Sequence, residues 1–97
     1  MPLYLVEHTH PVETCPTKNP DMVRQLAAHV TEENAAKYGV KIQADFVREA
    51  DHTVILVLEA DSPDKVTNFA LPFLSAGPIT IKAGETCDQV ARACLGG

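Results

Sequence analysis

The sequence predicts a single α+β domain of order β-α-β-β-α-β, followed by a short C-terminal helix. Three observations carry this. Apolar and polar residues alternate near the start and again through Val40–Arg48, the period of a half-buried strand. The run Val54-Ile55-Leu56-Val57-Leu58 is continuously apolar, as in a central strand. Two segments with three- and four-residue apolar spacing open on Asn19-Pro20-Asp21 and on Asp61-Ser62-Pro63-Asp64, the chemistry of helix starts. At 97 residues, 45% hydrophobic and 22% charged, the chain suits one core over residues 1–97 and lacks the composition of a disordered segment.

Each element has its own signal. Leu3 to His10 reads as a strand with Leu3, Leu5, Glu7 and Thr9 on one face and Tyr4, Val6, His8 and His10 on the other; Pro11 stops it. Asn19 caps the first helix, Pro20 takes its first position, and Met22, Val23, Leu26, Ala27 and Val30 form its apolar stripe. Thr31-Glu-Glu-Asn continues or restarts it to Tyr38, and Gly39 ends it. Val40, Ile42, Ala44 and Phe46 are expected to face inward in the second strand, against Lys41, Gln43 and Asp45. Glu49 to His52 connects it to the third strand, Thr53–Glu59, as a hairpin. Ser62 and Pro63 open a second helix carrying Val66, Phe69, Ala70 and Phe73, shortened or kinked at Pro72. Gly77-Pro78 breaks the chain, Ile79–Lys82 is the last strand, and Glu85 or Thr86 opens the final helix.

This order is that of a ferredoxin-like, split-βαβ fold with an antiparallel four-stranded sheet. The right-handed crossover rule makes strands one and two parallel with strand three between them, and sets strand four on the other side of strand one. Helices then cover one face. The other face keeps apolar side chains, and a face-to-face homodimer, or a higher oligomer built from it, removes them from water.

Charge and composition exclude several roles. Eight Lys and Arg against thirteen Asp and Glu, a net charge of −5, provide no basic field for a phosphate backbone, so nucleic acid is not an expected partner. The longest apolar run is far short of the ~20 residues of a spanning helix. The opening Met-Pro-Leu-Tyr-Leu-Val-Glu has no basic region before an apolar one, so a cytoplasmic protein is expected. Three cysteines argue against a disulfide framework. Cys87 and Cys94 lie two helical turns apart, about 10.5 Å of rise, too far to bridge; burial in the last helix is their expected role. Cys15 stands apart, in the proline-rich stretch Pro11–Pro20.

The residues that can carry chemistry are spaced His-x-His-x4-Cys. His8 and His10 project from one strand face with roughly 6.6 Å between Cα atoms, and Cys15 follows a turn later. Strand one runs antiparallel to strand three, which brings Asp51 and His52 to the same end. His8, His10, Cys15 and His52 are therefore the expected ligands of a divalent transition metal, nickel, copper or zinc, since imidazole and thiolate suit these ions whereas calcium and magnesium demand oxygen. Glu7 and Glu13 are further carboxylate candidates, with Glu7 on the opposite face. Two other readings use the same region. In one, a small enzyme handles an organic molecule between the sheet and the first helix, in a pocket lined by Tyr4, Val6, Leu56 and Phe46, with His8 or His10 as general base or Cys15 as nucleophile. In the other, the domain only mediates assembly. His29, beside the apolar stripe of its helix, is expected to be a satisfied structural histidine.

The element order at this length, the opening Pro-Leu-Tyr-Leu-Val-Glu-His-Thr and the phrase Glu33-Asn-Ala-Ala-Lys-Tyr-Gly-Val together resemble the small bacterial proteins of the dimeric α+β barrel superfamily. The likeness extends to its nickel-binding group, whose members also open with a short Val-Glu-His-like strand. The resemblance implies a dimer more directly than a chemistry, because the superfamily also holds stress-response barrels, small monooxygenases and isomerases. No family active-site pattern carries over residue by residue.

Overall fold

The computed structural model describes residues 2–96. Strands β1 (Leu3–Thr9), β2 (Val40–Arg48), β3 (Thr53–Ala60) and β4 (Ile79–Gly84) form one sheet in the order β2-β3-β1-β4, with every neighbouring pair antiparallel. β1 and β2 are thus parallel across β3, an α+β arrangement consistent with the ferredoxin-like fold. Helices α1 (Pro20–His29) and α2 (Glu32–Lys37) follow β1, α3 (Pro63–Ala70) follows β3, and α4 (Cys87–Cys94) follows β4.

The helix boundaries follow local chemistry. Asn19 Oδ1 accepts from the backbone N–H groups of Asp21 and Met22, with Pro20 at the first helical position. Val30 leaves the helical region and Thr31 caps a new helix through the Asn34 N–H, so the apolar stripe spans two helices rather than one. α3 ends before Pro72, and Leu71–Ser75 continues as a 3-10 turn. Thr86 and Gln89 form a reciprocal capping box at the start of α4.

The core lies on one face of the sheet. Tyr4 and Val6 of β1 oppose Leu58 and Leu56 of β3, and Val66, Phe69 and Ala70 of α3 close over them. His29 ties the helices to one another: its Nε2 donates to the Phe69 carbonyl (2.6 Å), Asn34 donates to its Nδ1 (3.1 Å), and its ring stacks on Phe69 at 4.7 Å. It is the satisfied structural histidine that its place on the helix predicts.

Two expectations are corrected. β2 presents Val40 and Ile42 inward but not Ala44 and Phe46, because the register shifts at a β-bulge between Ile42 and Ala44. One extra residue in a strand of period two reverses its faces. Asp45 and Val47 therefore sit opposite Leu56 and Val54 on the helix-covered face, and Phe46 turns out, 51% exposed. The second correction concerns Cys87 and Cys94. Both are exposed, because α4 lies at the surface and buries none of its residues.

The open face of the sheet carries Leu3 and Leu5 from β1 and Phe46 from β2, with the half-buried Ile55 and Val57 of β3 beside them. Burial separates the two kinds of position energetically. Leu58→Ala should lower the unfolding free energy by about 2–5 kcal/mol, through lost transfer energy and a residual cavity. Cys94→Ala should change it by less than about 0.5 kcal/mol; urea titration of both variants reads the difference directly.

Candidate metal centre

The alternation of β1 carries on past its last paired residue, so Tyr4, Val6, His8 and His10 are all buried on the same side. Pro11 then turns the chain into two successive 3-10 turns, Val12–Thr14 and Pro16–Lys18, with Cys15 at the junction. Thr14 Oγ1 donates to the Ala76 carbonyl (2.7 Å), pinning this loop to the segment before β4. The tether leaves Cys15 buried in a stretch whose composition alone reads as exposed. From the other side comes His52, after the 3-10 turn Glu49–Asp51, in the left-handed conformation (φ 51°, ψ 44°). A side chain there costs about 1 kcal/mol. Its carbonyl accepts from the His10 N–H at 3.1 Å, which locks the two together.

A chain of hydrogen bonds decides where the imidazole protons lie. His8 Nδ1 lies 3.2 Å from the Pro78 carbonyl oxygen, and His10 Nδ1 lies 3.1 Å from His8 Nε2. A carbonyl can only accept, so His8 carries its proton on Nδ1 and leaves Nε2 bare. That bare nitrogen must accept, so His10 donates from Nδ1 and keeps a lone pair on Nε2. His10 Nε2 is buried and has no hydrogen-bond partner. Leaving such an atom unsatisfied costs about 1–3 kcal/mol unless something occupies its lone pair.

Gly77 makes this arrangement possible. A Cβ there would stand 2.4 Å from the Thr9 carbonyl oxygen and 3.0 Å from His10 Cα, so only glycine lets the chain pass closely enough to present Pro78 to His8.

His10, Cys15 and His52 each offer a ligating atom, and these atoms all lie within 4.8 Å of one another. In a four-coordinate site with M–N near 2.1 Å and M–S near 2.3 Å, ligand atoms stand roughly 3.3–3.8 Å apart. The cluster needs to close by about 1 Å to reach that spacing. Two imidazoles and one thiol select borderline transition ions and leave a fourth position for water or another ligand. Thr17 Oγ1 lies 2.9 Å from Cys15 Sγ, where its hydroxyl can donate to a thiolate.

Of the four ligands expected from the sequence, three fall in this group, and His8 stands behind it, holding His10. Both ring nitrogens of His8 are engaged, so it has no lone pair free to act as a general base. Glu7 faces the open side of the sheet and Glu13 is exposed in the loop; neither joins the group. Asp51 is held by Arg48 in an ion pair. Between α1 and the sheet there is a cavity of about 420 Å³ with His8, His10 and Leu56 in its wall. Tyr4, Val6 and Phe46 do not line it: the first two belong to the core and the bulge turns the third away. Its place is taken by Asp45 and Val47, the first of which strict alternation assigns to the solvent side. Pro78, Gly77 and Thr17 are supporting residues with no signal in the sequence beyond chain-breaking composition.

The fold and the cluster define a class: a small α+β domain with a buried His–Cys–His group at one end of its sheet. The chain matches no known family model, and it matches no curated protein. Among the described residues, no helix is long and apolar enough to cross a membrane.

Burial pushes the His8 imidazole below its ordinary 6.5, partly offset by the Pro78 carbonyl; burial does the same to His10, reinforced by the neighbouring His8 and His52 rings. Below pH 6.5 the unfolded chain therefore binds protons that the folded chain refuses. Stability of the metal-free protein should be full above that pH and fall as pH drops below it. Urea midpoints at about pH 7.5 and about pH 5.5 measure this, and a His8→Gln/His10→Gln variant should show a smaller acid loss than the parent.

Proposed function

We propose that this protein binds a divalent transition metal, nickel, copper or zinc, through His10 Nε2, the Cys15 thiolate and His52. His8 acts behind the site as the positioning residue that sets the tautomer of His10. The observation that carries the reading is the bare, buried lone pair on Nε2 of His10, a residue grouped with a buried cysteine and a third imidazole. Support for the role of His8 comes from the general behaviour of metal-bound histidines, whose second ring nitrogen is held by a carbonyl, carboxylate or other acceptor. With three protein ligands the fourth position stays open, the arrangement that permits exchange or water activation as well as storage.

Metal analysis of protein purified without chelator or affinity metal, and titration with Co²⁺ as a spectroscopic stand-in, test the assignment. The parent should bind one ion per chain and show thiolate-to-cobalt charge-transfer absorption. Cys15→Ser should remove that band, and His10→Ala should remove binding. His52→Gly should weaken binding without disturbing the left-handed backbone, which glycine adopts freely. His8→Ala should weaken it about 10–100-fold, the usual effect of removing a partner that orients a ligand. Equal metal content in the parent and in His10→Ala would refute the proposal.

We also propose that the open sheet face assembles two copies into a homodimer, supported by the exposed Leu5 and Phe46 beside Leu3, Ile55 and Val57. Light scattering over a range of concentrations should give twice the chain mass. Leu5→Glu/Phe46→Glu should give the single-chain mass with unchanged metal binding.

A further inference from the structure

The first helix packs on the core only in part, through the half-buried Leu26 and through Val30 at its C-cap. α1 is amphipathic, yet none of its residues is buried. Val23, Leu26 and Ala27 face the sheet across the cavity of about 420 Å³, and Val47, Val54 and Leu56 form the floor beneath them. Closing that gap would gain roughly 25 cal/mol for each Å² of apolar surface removed from water. The gap persists because α1 is held at both ends. The start follows two 3-10 turns that Thr14 ties to the Ala76 carbonyl, while the bonds of His29 to Phe69 and Asn34 fix the end. Walls of this kind give water few polar partners, so the space favours an apolar occupant. Its volume lies in the range of small-molecule sites.

The polar groups in the wall narrow the chemistry. No lysine or arginine lines the cavity. Asp45, itself exposed, is among the lining residues, placed on this face by the bulge in β2. With no lysine or arginine to pair an anion and one carboxylate on this face, the wall disfavours carboxylates and phosphates as its ligands. The rings of His8 and Phe73, 5.3 Å apart, form one end and favour an aromatic partner.

From these observations we infer that the space between α1 and the sheet binds a neutral or singly cationic aromatic molecule, seated against the ring of His10. The inference stands on the cavity and goes beyond metal binding, since neither Cys15 nor His52 lines the space. With a metal in place, the bound molecule would lie against one of its ligands, and the two sites would sense each other through His10.

The neutral fluorophore N-phenyl-1-naphthylamine serves as probe, with 1-aminonaphthalene and 1-naphthoate as competitors. Metal-free protein should bind one probe per chain, with a blue shift and enhanced emission. Cys15→Ser, which disables the metal site, should bind it equally well. Ala27→Trp and Val23→Trp fill the cavity from exposed helix positions and leave the core untouched; each should weaken probe binding about tenfold or more. 1-Aminonaphthalene should displace the probe at a concentration about tenfold below that of 1-naphthoate, and Asp45→Asn should shrink that ratio. Absence of saturable binding, or binding unaffected by either tryptophan, would overturn the inference.

Discussion

A backbone carbonyl cannot donate a hydrogen bond, and the candidate site depends on that one-way property of Pro78. Its oxygen draws the proton of His8 to Nδ1, which bares His8 Nε2, which in turn draws the proton of His10 to Nδ1. The result is a lone pair on His10 Nε2, fixed without any charged residue in the relay. Burial works in the same direction by disfavouring the imidazolium form of both rings. The geometry rests in turn on Gly77, whose missing side chain allows the Pro78 segment to lie against Thr9 and His10. A site of this type needs few residues because the backbone of three separate segments does the orienting.

Stability is spent at the same end of the molecule. His52 holds a left-handed conformation that glycine would occupy without strain, and His10 Nε2 is buried without a partner. The first helix meets the core only through the half-buried Leu26 and Val30 and leaves a gap over the sheet beside them. These features are costs to folding in the absence of a bound species; in the proposed reading a cation would take the lone pair, His52 would serve as a ligand, and an apolar molecule would fill the gap. The firm core, by contrast, lies at the α3 end, where Val66, Phe69 and Ala70 close over Leu56 and Leu58.

Much of the fold was legible because it is written in short-range patterns. Proline at the first helical position, an asparagine or threonine cap and alternating strands locate nearly every element within a few residues. The split between α1 and α2 is foreshadowed by Thr31, whose side chain caps the second helix. The two misreadings have physical causes. Alternation assumes an uninterrupted ladder, and the bulge after Ile42 breaks it; nothing about Gln43 or Ala44 as residue types announces the extra residue. Apolar periodicity in α4 implies a buried stripe, but whether a surface exists to bury it depends on the rest of the domain.

For the site, the sequence by itself determined that His8 and His10 share a strand face and that antiparallel pairing brings the start of the third strand to the same end. Both statements follow from the period of a strand and the direction of a hairpin, which are local properties. Only the tertiary structure decided that His8 stands behind His10, that Cys15 is buried, and that Asp45 lies on the helix-covered face while Phe46 turns to the open one. Those outcomes depend on the meeting of Pro78 with His8, the tether from Thr14 to Ala76, and a one-residue slip between β2 and β3. Contacts between segments tens of residues apart have no pattern in the linear chain, because their energies exist only once the backbone has brought the groups together.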